Sequence, residues 1–409
     1  MKQPKQKVHS LTGRITPVLV LQAFKTVKRN RGAAGIDKVS IQMFEANLEA
    51  NLQALMRDLK EGTFVPQPLR RVYIPKSPTS MRPLGIPAVR DRVAQEVVRC
   101  LINPTFEPLF HENSFGFRQG RNAHMAMENV FKLASLGYVY VLDADIKSFF
   151  DKIPHQVMMQ AVAAEIADGN ILRLVEKFLA AGVMENGVFK PTNIGTPQGG
   201  VVSPLLSNIV LNRLDWYLEE QGIRFVRYAD DFVVLAKSKQ QAEGALDSVK
   251  HFLAQELGLE LSTEKTRITS FKEGFSFLGF DIKQKTAKMR QKSVEKFKDK
   301  IRELTIRSQN LDARVITKLN QVIRGTVNYF ITAFSSCHGQ FRQLYAWTRM
   351  RLRCMRYKRK SRRDNYRWQN KHITRLGLIP LETLACAQLM RQRTAIPLTG
   401  QSLSGSPSD

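Results

Sequence analysis

Two strand-like runs in the middle of the chain flank a short acidic turn. Residues 225–228 (FVRY) and 232–236 (FVVLA) are rich in β-branched and aromatic side chains, and Ala229, Asp230 and Asp231 lie between them. This pattern predicts a β-hairpin whose tight turn carries two adjacent carboxylates. Carboxylates placed so close together repel one another, so this turn constrains both the local fold and the chemistry that can surround it.

A third carboxylate stands at the end of another predicted strand. The run YVYVLDADI (138–146) is β-branched and aromatic, and it ends beside Asp145. Repulsion between carboxylates raises a pKa or lowers stability unless cations neutralise it, and hard divalent ions with oxygen ligands do this. Two such ions about 3.5 to 4 Å apart can activate a primer 3′-hydroxyl and stabilise the leaving pyrophosphate. Each aspartate alone is more simply a solvated or capping residue, and only together with their flanking residues do the three indicate a magnesium site for nucleotidyl transfer.

The rest of the chain divides into helical segments and a hairpin. Helical periodicity covers residues 17–60 (with a turn at 31–37), 91–135, 155–181, 203–221 and 240–257. The proline-punctuated segment 64–87 predicts a hairpin whose tip carries Lys76 and Arg82. After residue 282 the composition shifts, and apolar residues then recur at helical intervals, so we expect a domain boundary there and an all-helical region beyond it. Residues 400–409 are rich in Ser and Gly and are expected to be disordered.

The charge of the chain is strongly positive. Lys and Arg number 63 against 36 Asp and Glu, for a net charge of +27, and residues 281–409 hold 28 of the basic and only 8 of the acidic residues. This excess favours a polyanionic partner, but alone it leaves nucleic acid and an acidic membrane or protein surface about equally open. The apolar run 15–24 is far shorter than the roughly 20 residues that span a bilayer, and the 4 cysteines include no C-x-x-C pair. We therefore expect a cytoplasmic protein with no membrane association, disulfide framework or zinc knuckle.

Several strings resemble, in one collinear order, the sequence blocks of reverse transcriptases encoded within group II introns. RYADDFVVLA (227–236) looks like their Y-x-D-D hairpin, and DADIKSFFD (143–151) looks like the strand that carries their first catalytic aspartate. GTPQGGVVSPLLSNIVLNRLD (195–215) is similar to the next block and is the most diagnostic string in the chain. The resemblance continues in IPK (74–76), RPLGIPAVRDRVAQ (82–95), NSFGFRQGRNAHMA (113–126), LGLELSTEKTRI (257–268) and FSFLGFDI (275–282).

The resemblance implies an α+β fold of the right-hand polymerase kind, with fingers and a palm built on an antiparallel sheet, then a helical thumb and a helical maturase (X) domain. The expected domains are 1–90 (N-terminal extension and fingers), 91–282 (fingers and palm with the catalytic site), 283–312 (start of the thumb), 313–400 (thumb and maturase-like RNA-binding helices) and 401–409 (disordered tail). The C-terminal part resembles the family through LNQVIRGTVNYF (319–330), where Thr326 stands in place of the Trp of many relatives. Nothing resembles the DNA-cutting module of some relatives, so we expect a bacterial type that lacks it.

The same resemblance assigns roles to individual residues. Asp145, Asp230 and Asp231 would be catalytic and would hold two Mg²⁺ ions, or Mn²⁺ as a substitute, with the backbone carbonyl of Ile146 as a further ligand. For the dNTP, Lys76 and Arg82 would hold the triphosphate, Phe150 would stack under the sugar and exclude a 2′-hydroxyl, and Gln198 would line the pocket. Residues expected to contact nucleic acid are Tyr228, Arg118, Arg121, Arg349, Arg353, Arg356, Lys358, Arg359 and Lys360. The last six lie in a helix predicted over residues 344–363, whose interleaved cations and aromatic rings suit structured RNA.

The implied function is that of an RNA-directed DNA polymerase that extends a DNA or RNA primer on an RNA template with dNTPs. It would also bind its structured intron RNA and assist splicing and mobility into a DNA target. Two alternatives stay open. One is a domesticated relative that acts in DNA repair or phage defence, which Thr326 favours. The other is a non-enzymatic RNA-folding splicing cofactor, which would be expected to tolerate loss of the YADD turn that this chain keeps. An RNA-dependent RNA polymerase is disfavoured because Phe150 should block ribonucleotides.

Overall fold

The computed structural model describes residues 7–77, 80–196 and 198–394, with the backbone alone for 76–77 and 391–394. Two compact units divide between Ile268 and Thr269. The division falls within a strand, earlier in the chain than the shift in composition after residue 282.

Helices and two sheets alternate along the first unit. Its helices are α1 (Pro17–Arg29), α2 (Ile41–Ala46), α3 (Leu48–Glu61), α4 (Val89–Phe106), α5 (Ala123–Ser135), α6 (Phe149–Lys152), α7 (His155–Ala163), α8 (Gly169–Ala180), α9 (Ser203–Glu220) and α10 (Lys239–Phe252), the last continued by a π-helical turn, Leu253–Leu257. Its strands are β1 (Leu69–Ser77), β2 (Ser80–Ile86), β3 (Tyr140–Asp145), β4 (Val183–Glu185), β5 (Val188–Lys190), β6 (Arg224–Tyr228), β7 (Asp231–Ala236) and β8 (Arg267–Ser270), in which the chain passes to the second unit.

One sheet is built on the hairpin predicted around residue 76. Strands β1 and β2 pair antiparallel from Arg70 with Ile86 to Ser77 with Ser80, with an irregularity between Pro75 and Ser77. β4 and β5 extend this sheet in the order β2-β1-β4-β5. The expected hairpin is therefore present, and it is widened by a second, shorter one.

The other sheet has the order β6-β7-β3-β8. β7 lies between β6 and β3, and every residue of β7 after Asp231 is buried. A strand covered on both faces needs a continuous apolar run, and FVVLA supplies it. The hairpin predicted from the sequence is thus the centre of the sheet.

Helices α4 and α9 form much of the core of the first unit. Each carries buried residues around most of its circumference, as is expected of an interior helix. Pro204 stands in the first turn of α9, where a missing backbone N–H costs nothing. Both helices also bring polar side chains into the interior, including Gln95 on α4 and Asn208 and Asp215 on α9. Buried polar groups need partners: Gln95 accepts from Val201 N at 2.7 Å, and Asn208 and Asp215 both accept from Arg227.

The second unit contains a small sheet followed by helices. The strands β9 (Phe275–Phe277), β10 (Phe280–Lys283) and β11 (Thr286–Met289) form an antiparallel meander. The helices are α11 (Gln291–Leu304), α12 (Ala313–Phe330), α13 (His338–Tyr357), α14 (Asp364–Arg367), α15 (Asn370–Arg375) and α16 (Leu381–Thr394). In α12 the buried residues recur every three or four positions from Ile316 to Phe330, which is the amphipathic pattern seen in the sequence.

Three expectations are corrected or fall outside the described chain. The region beyond residue 282 is not wholly helical, because β10 pairs with β11 across that point. The helix predicted over 344–363 ends at Tyr357, since Lys358 has a left-handed φ of 53° that an α-helix cannot continue through. The tail expected to be disordered, residues 400–409, lies outside the described residues. Among the helices that the structure describes, none has the length and apolar character needed to cross a membrane.

Candidate active site

The three aspartates lie together at one end of the sheet. β3 and β7 run antiparallel, and Asp145 and Asp231 are Cα partners at the end of their ladder. In the β6–β7 hairpin the last pair is Tyr228 with Asp231, which leaves Ala229 and Asp230 as the turn. The sheet thus brings together carboxylates that are far apart in the sequence. Tyr228, expected near the primer end, is half-buried beside them.

A fully buried arginine lies beneath the acidic turn. The Arg227 guanidinium donates to both carboxylate oxygens of Asp215 on α9, at 2.7 and 2.5 Å. Its remaining nitrogen donates to Asn208 Oδ1 and to the carbonyl of Ala229, each at 2.9 Å. Ala229 has a φ of 60°, a left-handed conformation that costs a non-glycine residue about 1 kcal/mol or more. The buried arginine therefore holds the strained turn in place through a hydrogen bond to the Ala229 carbonyl.

A glycine lets a neighbouring loop approach the same turn. Gly116 belongs to a loop whose backbone pairs with Arg227, where Phe115 N donates to Arg227 O at 2.9 Å. A Cβ at Gly116 would lie 2.3 Å from the backbone nitrogen of Ala229, far inside van der Waals contact. Asn208 Nδ2 donates to the Gly116 carbonyl at 2.8 Å, so one side chain on α9 ties the loop and the arginine together.

The segment 260–266 braces the end of β3. Lys147 N donates to Glu260 O at 2.9 Å, and Ser262 N donates to Asp145 O at 2.7 Å. The side chain of Ile146 is buried, and its backbone bridges to Leu261. From this segment the Lys265 Nζ reaches Asp145 Oδ2 at 2.8 Å.

Burial and neighbouring charges shift the pKa values of two carboxyl groups near the turn. Burial raises the pKa of Asp230, and the nearby charge of Asp145 raises it further, while a backbone hydrogen bond and the Arg82 and Arg227 guanidiniums act in the opposite direction. Burial also raises the pKa of Asp151, just beyond Phe150, and Arg71 and Arg82 again oppose the shift. Arg82, on the exposed outer part of β2, is therefore close enough to influence two carboxylates of the site. For Lys76 only the backbone, in β1, is described.

The donor set suits a hard divalent cation. Carboxylates from Asp145, Asp230 and Asp231 and the backbone oxygen of Ile146 are oxygen ligands of the kind that Mg²⁺ prefers. Burial, and to a lesser extent the Asp145 charge, raise the pKa of Asp230, and a bound cation would counter both effects. Among the described residues, however, no group of three or more His, Cys, Asp or Glu side chains is already gathered closely enough to hold a metal ion. The residues fit the ion chemically, and part of the ligand set is engaged elsewhere, since Asp145 Oδ2 is paired with Lys265.

Backbone hydrogen bonds connect the GTPQGG loop to β2 and to the short helix α6 that follows β3. Gln198 O accepts from Gly85 N of β2 at 2.7 Å, and Thr196 N donates to Phe150 O at 2.7 Å. Gly199 has a φ of 117°, and a Cβ there would lie 2.2 Å from Gly85 O. Phe150 is half-buried and packs edge-to-face with Phe149, with ring centroids 5.3 Å apart. The loop is thus bonded both to the strand that carries Arg82 and to the backbone of Phe150.

Comparison with known proteins identifies two families in the chain. The family model of the reverse transcriptase (RNA-dependent DNA polymerase) matches residues 74–282, about half of the chain. The group II intron, maturase-specific domain matches residues 294–374. The group II intron-encoded protein LtrA of Lactococcus lactis subsp. cremoris is 30% identical over 419 residues, covering 77% of this chain and 69% of LtrA. Protein YkfC of Escherichia coli K12 is 35% identical over 326 residues, covering 70% of this chain and 86% of YkfC.

The chain belongs to the group II intron reverse transcriptases. It is therefore an RNA-directed DNA polymerase with a maturase-specific domain, as the resemblance of its motifs implied. Enzymes of this family need divalent metal ions, and their partners are nucleic acids.

Two of the expected nucleic-acid contacts of this reverse transcriptase are corrected by the structure. Arg118 is buried, and its guanidinium donates to Glu107 at 2.8 Å and to the carbonyls of His111 and Ser114. Arg353 is also buried, and it donates to the carbonyl of Trp368 at 3.0 Å. Both guanidiniums are used inside their own units and are not displayed to a ligand.

The remaining expected contacts differ in their exposure. Arg121 lies over the Phe115 ring at 5.4 Å. In the second unit Arg349 is half-buried over the Tyr345 ring, whereas Arg356 is exposed and stacks on Trp368 at 4.6 Å. The exposed Lys358, Arg359 and Lys360 follow the end of α13, with Lys358 donating to the Gln309 carbonyl and Arg359 paired with Asp364 at 3.0 Å.

Sequence reasoning missed the residues that support the acidic turn. Arg227 and Asp215 lie inside the recognised strings RYADDFVVLA and LNRLD, and Gly116 lies inside NSFGF. A basic residue within an apolar strand was the available signal for Arg227, because such a charge must find a buried partner. Nothing in the local pattern indicated that Lys265 would reach Asp145.

Proposed function

We propose that this reverse transcriptase adds dNTPs to a primer on an RNA template with two Mg²⁺ ions held by Asp145, Asp230, Asp231 and the Ile146 carbonyl. The observation that carries the proposal is the direct pairing of Asp145 with Asp231 at the end of β3 and β7. Bound there, the ions would lower the pKa of the primer hydroxyl and neutralise charge on the leaving pyrophosphate. The protein would hold the carboxylates in position, because Arg227 and the loop around Gly116 fix the turn before any substrate binds.

The nucleotide would be recognised by Arg82, Lys76, Phe150 and Gln198, to which the resemblance of the sequence motifs assigns this role. Arg82 influences the pKa values of both Asp230 and Asp151, which supports a position where its guanidinium could hold phosphate oxygens. Lys76 is proposed as its partner at the hairpin tip. The half-buried ring of Phe150 would stack under the sugar, and Gln198 would line the pocket from the loop bonded to Gly85.

The central test is primer extension on an RNA template with dNTPs and Mg²⁺. We expect Asp230→Asn to abolish extension, because it removes a charge that the metal ions require. Asp247→Asn, on an exposed position of α10, is the matched control and should extend normally. Extension by Asp230→Asn at the rate of that control would refute the assignment. Phe150→Val should raise incorporation of ribonucleotides relative to deoxynucleotides, and an unchanged ratio would remove Phe150 from the sugar site.

For the second unit, we propose binding to the structured RNA of the parent intron and assistance to its splicing. The support is the exposed basic group at the end of α13, formed by Arg356 in its last turn and by Arg359 and Lys360 just beyond it, with Arg356 stacked on Trp368. Such cations neutralise phosphates, so Lys360→Gln should reduce the slope of log affinity against log salt by up to about one. Lys239→Gln, on the exposed start of α10, is the control and should leave the slope unchanged. An unaltered slope in Lys360→Gln would exclude that lysine from the RNA interface.

A further inference from the structure

Lys265 makes an ion pair with the first of the three aspartates. Its Nζ lies 2.8 Å from Asp145 Oδ2, and the two side chains are 58% and 43% exposed. Exposed pairs of this kind contribute little to stability. The position of the pair is therefore more informative than its strength, because it uses one of the two carboxylate oxygens that Asp145 can offer to a cation.

The backbone around Lys265 is fixed to the strand that carries Asp145. Ser262 N donates to Asp145 O at 2.7 Å, and Thr266 Oγ1 accepts from Asp145 N at 3.4 Å. Between them, Thr266 N donates to Ser262 O at 2.9 Å and closes a turn that contains Lys265. A turn tied on both sides to the Asp145 backbone keeps the base of the lysine next to that carboxylate. The fold of the backbone therefore places the Lys265 and Asp145 side chains within reach of each other.

We propose that Lys265 is a positioning residue that competes with divalent metal for Asp145 Oδ2 until a nucleotide brings further ligands. This inference rests on the proposed metal role of Asp145. In the nucleotide-free protein the ammonium balances the carboxylate and keeps it oriented. A nucleotide triphosphate supplies additional oxygens to the metal and an alternative anionic partner for the lysine, so both changes favour exchange of the ammonium for the metal. Metal binding would in this way be coupled to nucleotide binding.

The expected effect of removing the ammonium is an increase in metal affinity. Lys265→Gln frees the oxygen and also removes repulsion between the lysine charge and the incoming cation. Loss of the exposed ion pair and of the charge repulsion together predicts a dissociation constant for the metal about three- to tenfold lower than that of the wild type in the absence of nucleotide. Lys265→Arg retains a cation at the same position and should stay near the wild-type value.

The experiment is titration of nucleotide-free full-length protein with Mn²⁺, with free Mn²⁺ followed by electron paramagnetic resonance. Arg267→Gln is the matched control, because Arg267 is 56% exposed on the same segment and pairs with Asp143 instead, at 3.4 Å. Tighter Mn²⁺ binding in Lys265→Gln, with Lys265→Arg and Arg267→Gln unchanged, would support the inference. Unchanged or weaker binding in Lys265→Gln, or equal tightening in Arg267→Gln, would overturn it.

Asp145→Asn separates this inference from the proposed function. If that variant binds Mn²⁺ as the wild type does, Asp145 is not a metal ligand and the proposed site is wrong. If it binds more weakly while Lys265→Gln binds no more tightly than the wild type, the metal site stands and only the role of Lys265 is refuted. Near-wild-type circular dichroism of the Lys265 variants, expected because the side chain is exposed, would show that the comparison is made between folded proteins.

Discussion

Replacing Arg227 by methionine should destabilise the first unit strongly, because it leaves Asp215 as a buried charge without a partner. Both side chains are 0% exposed, and the arginine donates two bonds to the carboxylate. Removing one partner of a buried ion pair typically costs about 3 to 5 kcal/mol. We therefore expect Arg227→Met to lower the free energy of unfolding by about that amount, measured by urea denaturation followed by circular dichroism.

The double variant Arg227→Met with Asp215→Leu tests whether the charge is the cause. Apolar replacement of a whole buried ion pair is often close to neutral, so the remaining loss should come from the bonds to Asn208 and Ala229. At about 1 kcal/mol each, these predict a loss of about 2 kcal/mol. Stability should thus be partly recovered, whereas primer extension should stay low, because the carbonyl of the strained Ala229 turn has lost its donor.

The matched control lies on the same strand. Arg224 is 42% exposed and pairs with Glu219 at 3.4 Å, so Arg224→Met should change the free energy of unfolding by less than about 1 kcal/mol. If Arg227→Met lowered the free energy of unfolding by less than about 1 kcal/mol, as expected for the control, the reasoning would be refuted. A double variant as unstable as the single one would refute it too, because the unpaired carboxylate could not then be the main source of the loss.

Two further predictions follow from the same unit. Gly116→Ala should lower primer extension by about a hundredfold or more, because its Cβ would lie 2.3 Å from the Ala229 nitrogen and would displace the acidic turn. Gly169→Ala, where nothing lies within 4 Å, is the control, and equal activities would show that the loop does not approach the turn so closely. Burial raises the pKa of Asp91 to about 6 from 3.8, so the folded protein binds that proton more tightly than the unfolded chain and loses stability as pH rises between those values. Asp91→Asn should therefore gain stability over the wild type by up to about 3 kcal/mol as pH rises from 4 to 7, and parallel urea midpoints of the two proteins over that range would contradict the shift.

The local elements of the catalytic sheet could be predicted from the sequence because their signals are local. Apolar runs of β-branched and aromatic residues marked β3, β6 and β7, and two acidic residues between the last two marked the turn. The register that places Asp145 opposite Asp231 could not be predicted in this way, because it depends on pairing between strands far apart in the chain. Knowledge of the family supplied that step, and the structure shows the pairing directly.

Side-chain direction was the property that the sequence could not supply. Arg118 and Arg353 stand in basic, motif-bearing strings, and both are turned inward to carbonyls and a carboxyl or amide group. Arg227 stands in an apolar strand and serves as the support of the acidic turn. The main partners of Arg227 and Arg353 come from other elements of the fold. Those of Arg118 lie 4 to 11 residues before it, but the sequence of that stretch does not show that the chain folds back around the guanidinium.

Because some basic side chains point inward, the number of Lys and Arg residues in the C-terminal unit overstates the number of its contacts with nucleic acid. Arg351 donates to the carbonyl of Thr305 at 2.7 Å, and Arg353 donates to that of Trp368, so these charges brace the ends of neighbouring helices. A guanidinium that already satisfies buried carbonyls cannot move to a phosphate without leaving those carbonyls unpaired, which is costly. The charges able to release counterions are the exposed ones, which include Lys360 beyond the end of α13. The electrostatic component of RNA binding should thus be set by the exposed fraction of the basic residues, and the buried fraction belongs to the stability of the unit.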